Sequence, residues 1–186
     1  MIQFFSKPIK LFKIFIATCM MFILVGCEYG DIQGSEESFD RLIGLKVKPE
    51  KILALRHGTI DFIGCFIFQF PDSTQNFFDN VPNGLSNHPI PLSYEKEKTF
   101  INWKATPVTQ EHLHFLNTSL AQVLSIGLDD EQYKFIMELA CSDNAFYSIS
   151  FEGSVSAMSH NVNFYLIDPK RRLFYNLTDT SIVYMP

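Results

Sequence analysis

The residues best equipped for chemistry fall into a few short clusters. Glu111-His112-Leu113-His114 sets two imidazoles two positions apart. On a strand they would share a face and hold a metal ion; on a helix, at 3.6 residues per turn, they point about 200° apart. The flanking residues have helical spacing, and helical zinc pairs sit at i,i+4. The expectation is therefore solvent-facing histidines and no metal. His57 and Asp61 bracket a turn between two extended segments. An Asp can orient a His for base catalysis, but no nucleophile stands in a recognisable context, and turn polarity accounts for both residues. Cys65 lies among Phe66, Ile67 and Phe68; such a setting buries a thiol rather than ionising it. The chain has no G-x-S-x-G, no P-loop and no dinucleotide fingerprint. No catalytic residue and no cofactor is expected.

Ser93-Tyr94-Glu95-Lys96 reads S-x-x-K and Ser142-Asp143-Asn144 reads S-D-N, which together resemble the penicillin-binding serine enzymes. The resemblance fails on context. S-x-x-K must open a buried helix, whereas here it follows Pro89 and Pro91 in a charged stretch, and no K-T-G follows.

The first residues carry a different signal. Lys7, Lys10 and Lys13 give a positive start, Ile14–Gly26 is apolar except for Thr18, and Leu24-Val25-Gly26-Cys27 closes the run. That order of cations, short apolar core and small residues is a secretion signal. The core falls short of the roughly 20 residues that span a bilayer. The closing tetrapeptide resembles the lipobox of bacterial lipoproteins. The resemblance covers only the leader. It implies that residues 1–26 are a signal peptide, that the Cys27 thiol takes diacylglycerol, and that Cys27 becomes an acylated N-terminus. Each buried methylene contributes about 0.8 kcal/mol, and one chain holds only reversibly; two or three on one residue hold durably. Glu28, rather than Asp, follows the cysteine, which by the same resemblance implies the outer membrane, facing the periplasm.

Residues 27–186 carry 12 basic and 20 acidic side chains, a net charge of −8. Such a domain repels phosphate backbones, so nucleic acid is excluded as a partner and a basic protein is favoured. Lys170-Arg171-Arg172 reads as a solvated turn. Fourteen of the 19 phenylalanines follow Cys27, enough apolar mass for one core. Cys65 and Cys141 would meet an oxidising compartment. A bridge between them would contribute about 4 kcal/mol on chain-entropy grounds; the alternative is two separate buried thiols.

These groups need positioning elements. Residues 27–38, polar and acidic, read as a lipidated cysteine and flexible tether, with order beginning near Phe39 and one globular domain over 39–186. Lys51–Arg56 and Phe62–Phe70 read as a hairpin; both faces of the second segment are apolar, so it should be central. Asp72 or Ser73 can cap a short helix through Asn80. Val81–Pro91 reads as a loop, and Thr99–Lys104 as a strand. Thr109–Leu124 and Asp129–Cys141 are amphipathic helices. Ala145–Phe151, Val162–Ile167, Leu173–Leu177 and Ser181–Tyr184 read as strands, with a turn at Asp168–Arg171. The fold class is α+β: an antiparallel sheet with two or three helices packed on one face.

The functional expectation is a lipid-anchored, non-catalytic, protein-binding domain of the bacterial envelope, of immunity or inhibitor type or an accessory subunit. Its contacts would come from Asn83, Asn87 and His88 in one loop and Ser156 and His160 in another. The alternatives are an envelope hydrolase with dispersed site residues and a structural lipoprotein that ties envelope layers together.

Overall fold

A computed structural model describes residues 35–58, 63–90, 98–152 and 160–179. The leader, Cys27, Asp61, residues 93–96, Ser156 and residues 181–184 lie outside them. The apolar run expected as a central strand is β2 (Ile63–Gln69). It pairs antiparallel with β1 (Glu50–His57) in the expected hairpin, and on its other side with β6 (Leu173–Asp179). With β3 (Lys98–Ala105), β4 (Phe146–Glu152) and β5 (His160–Asp168) these make a six-stranded sheet. Its order is β1-β2-β6-β5-β4-β3, and every neighbouring pair is antiparallel. The fold is α+β, as the element pattern predicts.

Alternation along each strand sends successive side chains to opposite faces. On one face Cys65, Ile67, Tyr147, Ile149, Phe164, Leu166, Tyr175 and Leu177 form a core with the two long helices. These are the amphipathic segments, Gln110–Ser125 and Asp130–Cys141. On the other face Phe66, Phe68, Phe70, Tyr165, Ile167 and Phe174 form a second core. The long pair is the expected set of helices on one face; the other face is covered by shorter helices.

The second core is closed by α1 (Glu36–Ile43), a helix where the tether was expected to run on to Ser38. Ser38, Phe39, Leu42 and Ile43 are buried, an i, i+3, i+4 stripe. The Phe39 ring meets Phe68, Phe70 and Phe174 edge-on, with centroids 5.1, 5.0 and 5.2 Å apart. After β2, a 3-10 turn (Asp72–Thr74) runs into α2 (Gln75–Phe78), followed by α3 (Val81–Gly84). Part of the expected Val81–Pro91 loop is therefore helical, and Val81 and Leu85 enter the core. The long helices are α4 (Gln110–Ser125) and α5 (Asp130–Cys141). No helix among the described residues is long and apolar enough to cross a membrane.

Two irregularities in the sheet matter for function. A register shift in β3 between Ile101 and Lys104 lets Ile101 join the first core while Trp103 packs on the second. The Trp103 indole N–H then donates to the Leu42 carbonyl at 2.8 Å, pinning the end of α1. A second shift, between Lys51 and Leu53, leaves Ile52 out of the ladder and 51% exposed.

Candidate functional site

That displaced Ile52 forms one lip of an open groove of about 350 Å3. Its floor is sheet: Ile67 from β2, with Leu173 and Tyr175 from β6. Its wall is the first two turns of α5, where Glu131, Gln132 and Phe135 face the gap. Asp129 sets where that helix begins, its carboxylate accepting from the Gln132 backbone N–H at 2.7 Å, as an N-cap should. Arg171, from the turn between β5 and β6, closes one end.

Arg171 is held in place from two sides. Its guanidinium lies 4.4 Å from the centre of the Phe135 ring, a cation–π contact. It also donates from Nη1 to Asp168 Oδ2 at 3.0 Å, while the other Asp168 oxygen accepts the Arg171 backbone N–H at 3.1 Å. Arg172, with φ of 54°, turns the other way. It bonds Asp72 and Gln75, tying this turn to the segment after β2. The run expected as a solvated turn is thus a pair of clamps.

The ionisable groups under the groove are tuned away from chemistry. Burial first, and nearby Asp168 second, raise the Tyr175 hydroxyl above its ordinary pKa, so it stays protonated. Burial pushes the Cys65 thiol up to about 12, which removes it as a nucleophile. Glu131 is exposed and Gln132 offers its side-chain amide. The groove can accept an apolar group and hydrogen-bond its polar flank.

The remaining predicted residues scatter. His112 is a correction: it is buried on α4, with Nδ1 3.0 Å from the Tyr147 hydroxyl. Burial, then the Lys104 charge, lowers its pKa. His114 is exposed, as expected, and its Nδ1 sits 2.7 Å from the Glu111 carbonyl. No group of three or more His, Cys, Asp or Glu residues suited to a metal occurs among the described residues. Cys65 and Cys141 are both free thiols, the first buried in β2 and the second exposed at the end of α5. The bridge considered from sequence is not formed, and only one of the two is a buried thiol.

Of the expected contact residues, Asn83 and Asn87 are exposed. His88 is corrected to a packing role. Its Nδ1 lies 2.9 Å from the Arg41 carbonyl, and its ring covers Gly44 so closely that an added Cβ would stand 2.5 Å from Nε2. His160 opens β5 rather than sitting in a loop.

Sequence reasoning also passed over a polar strip on the α1 side of the sheet. Thr178 Oγ1 lies 2.9 Å from Asn163 Oδ1 and 3.2 Å from Asn176 Oδ1. The Asn163 amide donates to Ser150 Oγ at 3.3 Å, and Ser150 Oγ is 3.4 Å from the Tyr165 hydroxyl. The signal was the alternation of polar residues in β4, β5 and β6. These neutral groups satisfy one another, which makes them a buried network rather than a reactive site.

Compared with protein-family models, with curated proteins and with solved structures, the chain finds no match.

Proposed function

We propose that the chain is a lipid-anchored, non-catalytic binding domain of a bacterial envelope. Acyl chains on Cys27 tie it to the outer membrane, facing the periplasm. Its partner is a basic protein, and the role is that of an immunity or inhibitor lipoprotein or of an accessory subunit. The observation that carries this reading is the leader ending in Leu24-Val25-Gly26-Cys27. Charge supports the partner class: the portion after the leader has a net charge of −8, and complementary fields steer association. The groove is also consistent with binding, since its floor is apolar and its tyrosine and the nearby thiol are held protonated.

Two measurements test it. Cells fed radiolabelled palmitate should label the wild-type chain and not Cys27→Ser, which should accumulate unprocessed. Chemical cross-linking in intact cells, followed by capture from solubilised membranes, should yield one basic protein in a fixed ratio. Unlabelled wild-type protein would remove the anchor. Wild-type protein that yields no partner, or that turns over an envelope substrate, would remove the binding role.

A further inference from the structure

The geometry points to the groove between α5 and the β1–β2–β6 floor as the docking site for a partner segment that presents an apolar side chain beside a Lys or Arg. This rests on the binding role proposed above and names the surface that performs it.

Three features select that occupant. First, Ile52 and Ile90 are the exposed large hydrophobic residues among the described residues, and Ile52 is the one set over an apolar floor. A half-exposed aliphatic lip over a sheet floor has the makeup of an interface anchor pocket. The groove is open rather than enclosed, so it suits a protruding side chain more than a buried small ligand. Second, the two lining charges are not equally available. Arg171 is already engaged by Asp168 and by the Phe135 ring, while Glu131 stands exposed on the helix wall. A cation on the incoming segment is the complement, as the net charge of −8 after the leader also favours. Third, the walls are already ordered. Phe135 is held by Arg171, and the start of α5 by the Asp129 cap. Binding therefore costs little side-chain ordering.

The test uses the full chain purified from membranes, placed in nanodiscs of zwitterionic lipid, with empty discs as blank. Three fluorescent peptides serve as probes: one alternating Lys with Leu and Phe, one with Glu in place of Lys, and one with Ser in place of Leu and Phe. A photoactivatable group on each reports the contact site by mass spectrometry. The Lys/apolar peptide should bind saturably, at least tenfold tighter than the other two, and cross-link to β1 and α5. Ile52→Ser and Glu131→Lys should each weaken it at least fivefold with unchanged circular dichroism. Both sites are solvent-exposed, so neither change should unfold the domain. Equal binding of all three peptides, preference for the acidic one, cross-links elsewhere, or variants that bind as wild type would each overturn the assignment. The two proposals fail separately. An Ile52→Ser chain that still captures its membrane partner removes the groove and keeps the binding role. A groove that binds the peptide in a chain with no membrane partner does the reverse.

Discussion

Replacing Phe39 by Ala should separate α1 from the sheet. Phe39 is fully buried and contacts three phenylalanine rings edge-on, at centroid distances of 5.0 to 5.2 Å. Burying a phenylalanine and then deleting it costs about 3–5 kcal/mol, cavity included. Edge-to-face pairs add about 0.5–1.5 kcal/mol each beyond area, though three pairs sharing one ring do not sum. A loss of about 4 kcal/mol follows. α1 has only eight residues, too few to hold its shape unaided, so its remaining grip includes Leu42, Ile43, the Trp103 indole bond to the Leu42 carbonyl, and the Arg41 carbonyl, which accepts from the Ile90 N–H and lies 2.9 Å from His88 Nδ1. That bond makes the chain's single tryptophan a reporter at the hinge of the contact. Urea unfolding followed by tryptophan emission and by far-ultraviolet circular dichroism should show one of two outcomes. Either both midpoints fall together by the full amount, or emission shifts to the red at low urea while the sheet signal persists, meaning that α1 leaves first. Asp40→Ala, on the exposed side of the same helix, should change stability by less than about 0.5 kcal/mol. A loss under about 1 kcal/mol for Phe39→Ala, with unchanged emission, would refute the idea that α1 closes the second core.

Three further perturbations probe other parts of the fold. The lowered pKa of His112 means that the folded state binds its proton less readily than the unfolded chain, whose value is near 6.5; this stabilisation is whole above 6.5 and is lost as pH falls from there toward the folded value. Lys104 and His114 oppose the charged form and Glu111 favours it, so His112→Gln should flatten the acid limb of a urea-midpoint-against-pH curve, and a parallel curve would count against the burial of His112. Ser119 carries a buried hydroxyl without a hydrogen-bond partner; Ser119→Ala should raise stability by about 1 kcal/mol, and a lower thermal midpoint would show that the hydroxyl is satisfied. Gly44 has φ of +76° and lies against the His88 ring; Gly44→Ala should cost about 1–2 kcal/mol from the left-handed backbone alone, with His88→Ala in the same chain relieving only the steric part, so a neutral Gly44→Ala would remove the close approach of α1 and the residue 85–90 segment.

How much of this was legible in sequence depends on the range over which each feature is encoded. The two-faced apolar run of β2 and the helical stripes of α4 and α5 are local patterns, and they appear within a residue or two of where spacing places them. α1 was also written locally, as Phe39, Leu42 and Ile43 at helical spacing. It was obscured because its first turn, Glu36 and Glu37, continues the acidic composition of the tether, although acidic residues also belong at a helix N-terminus. The insertion of β6 between β2 and β5 has no local signature, since antiparallel partners are chosen by pairing across long sequence distance. The groove is made of such choices. Phe135 and Gln132 lie at helical spacing from the buried Leu139 and Ile136, yet both are only half-buried, because the floor opposite them comes from β2 and β6 and its lip from an inserted residue in β1. One extra residue changes neither composition nor apolar content; it changes which side of a ladder a side chain falls on. Arg171 shows the same limit from the electrostatic side. Three consecutive cations in a turn carry no mark that one will stack on Phe135, on a helix that precedes it in the chain, while its neighbour reaches back to Asp72. A site assembled from a bulge, a helix end and a turn therefore becomes visible only when the strand order is known.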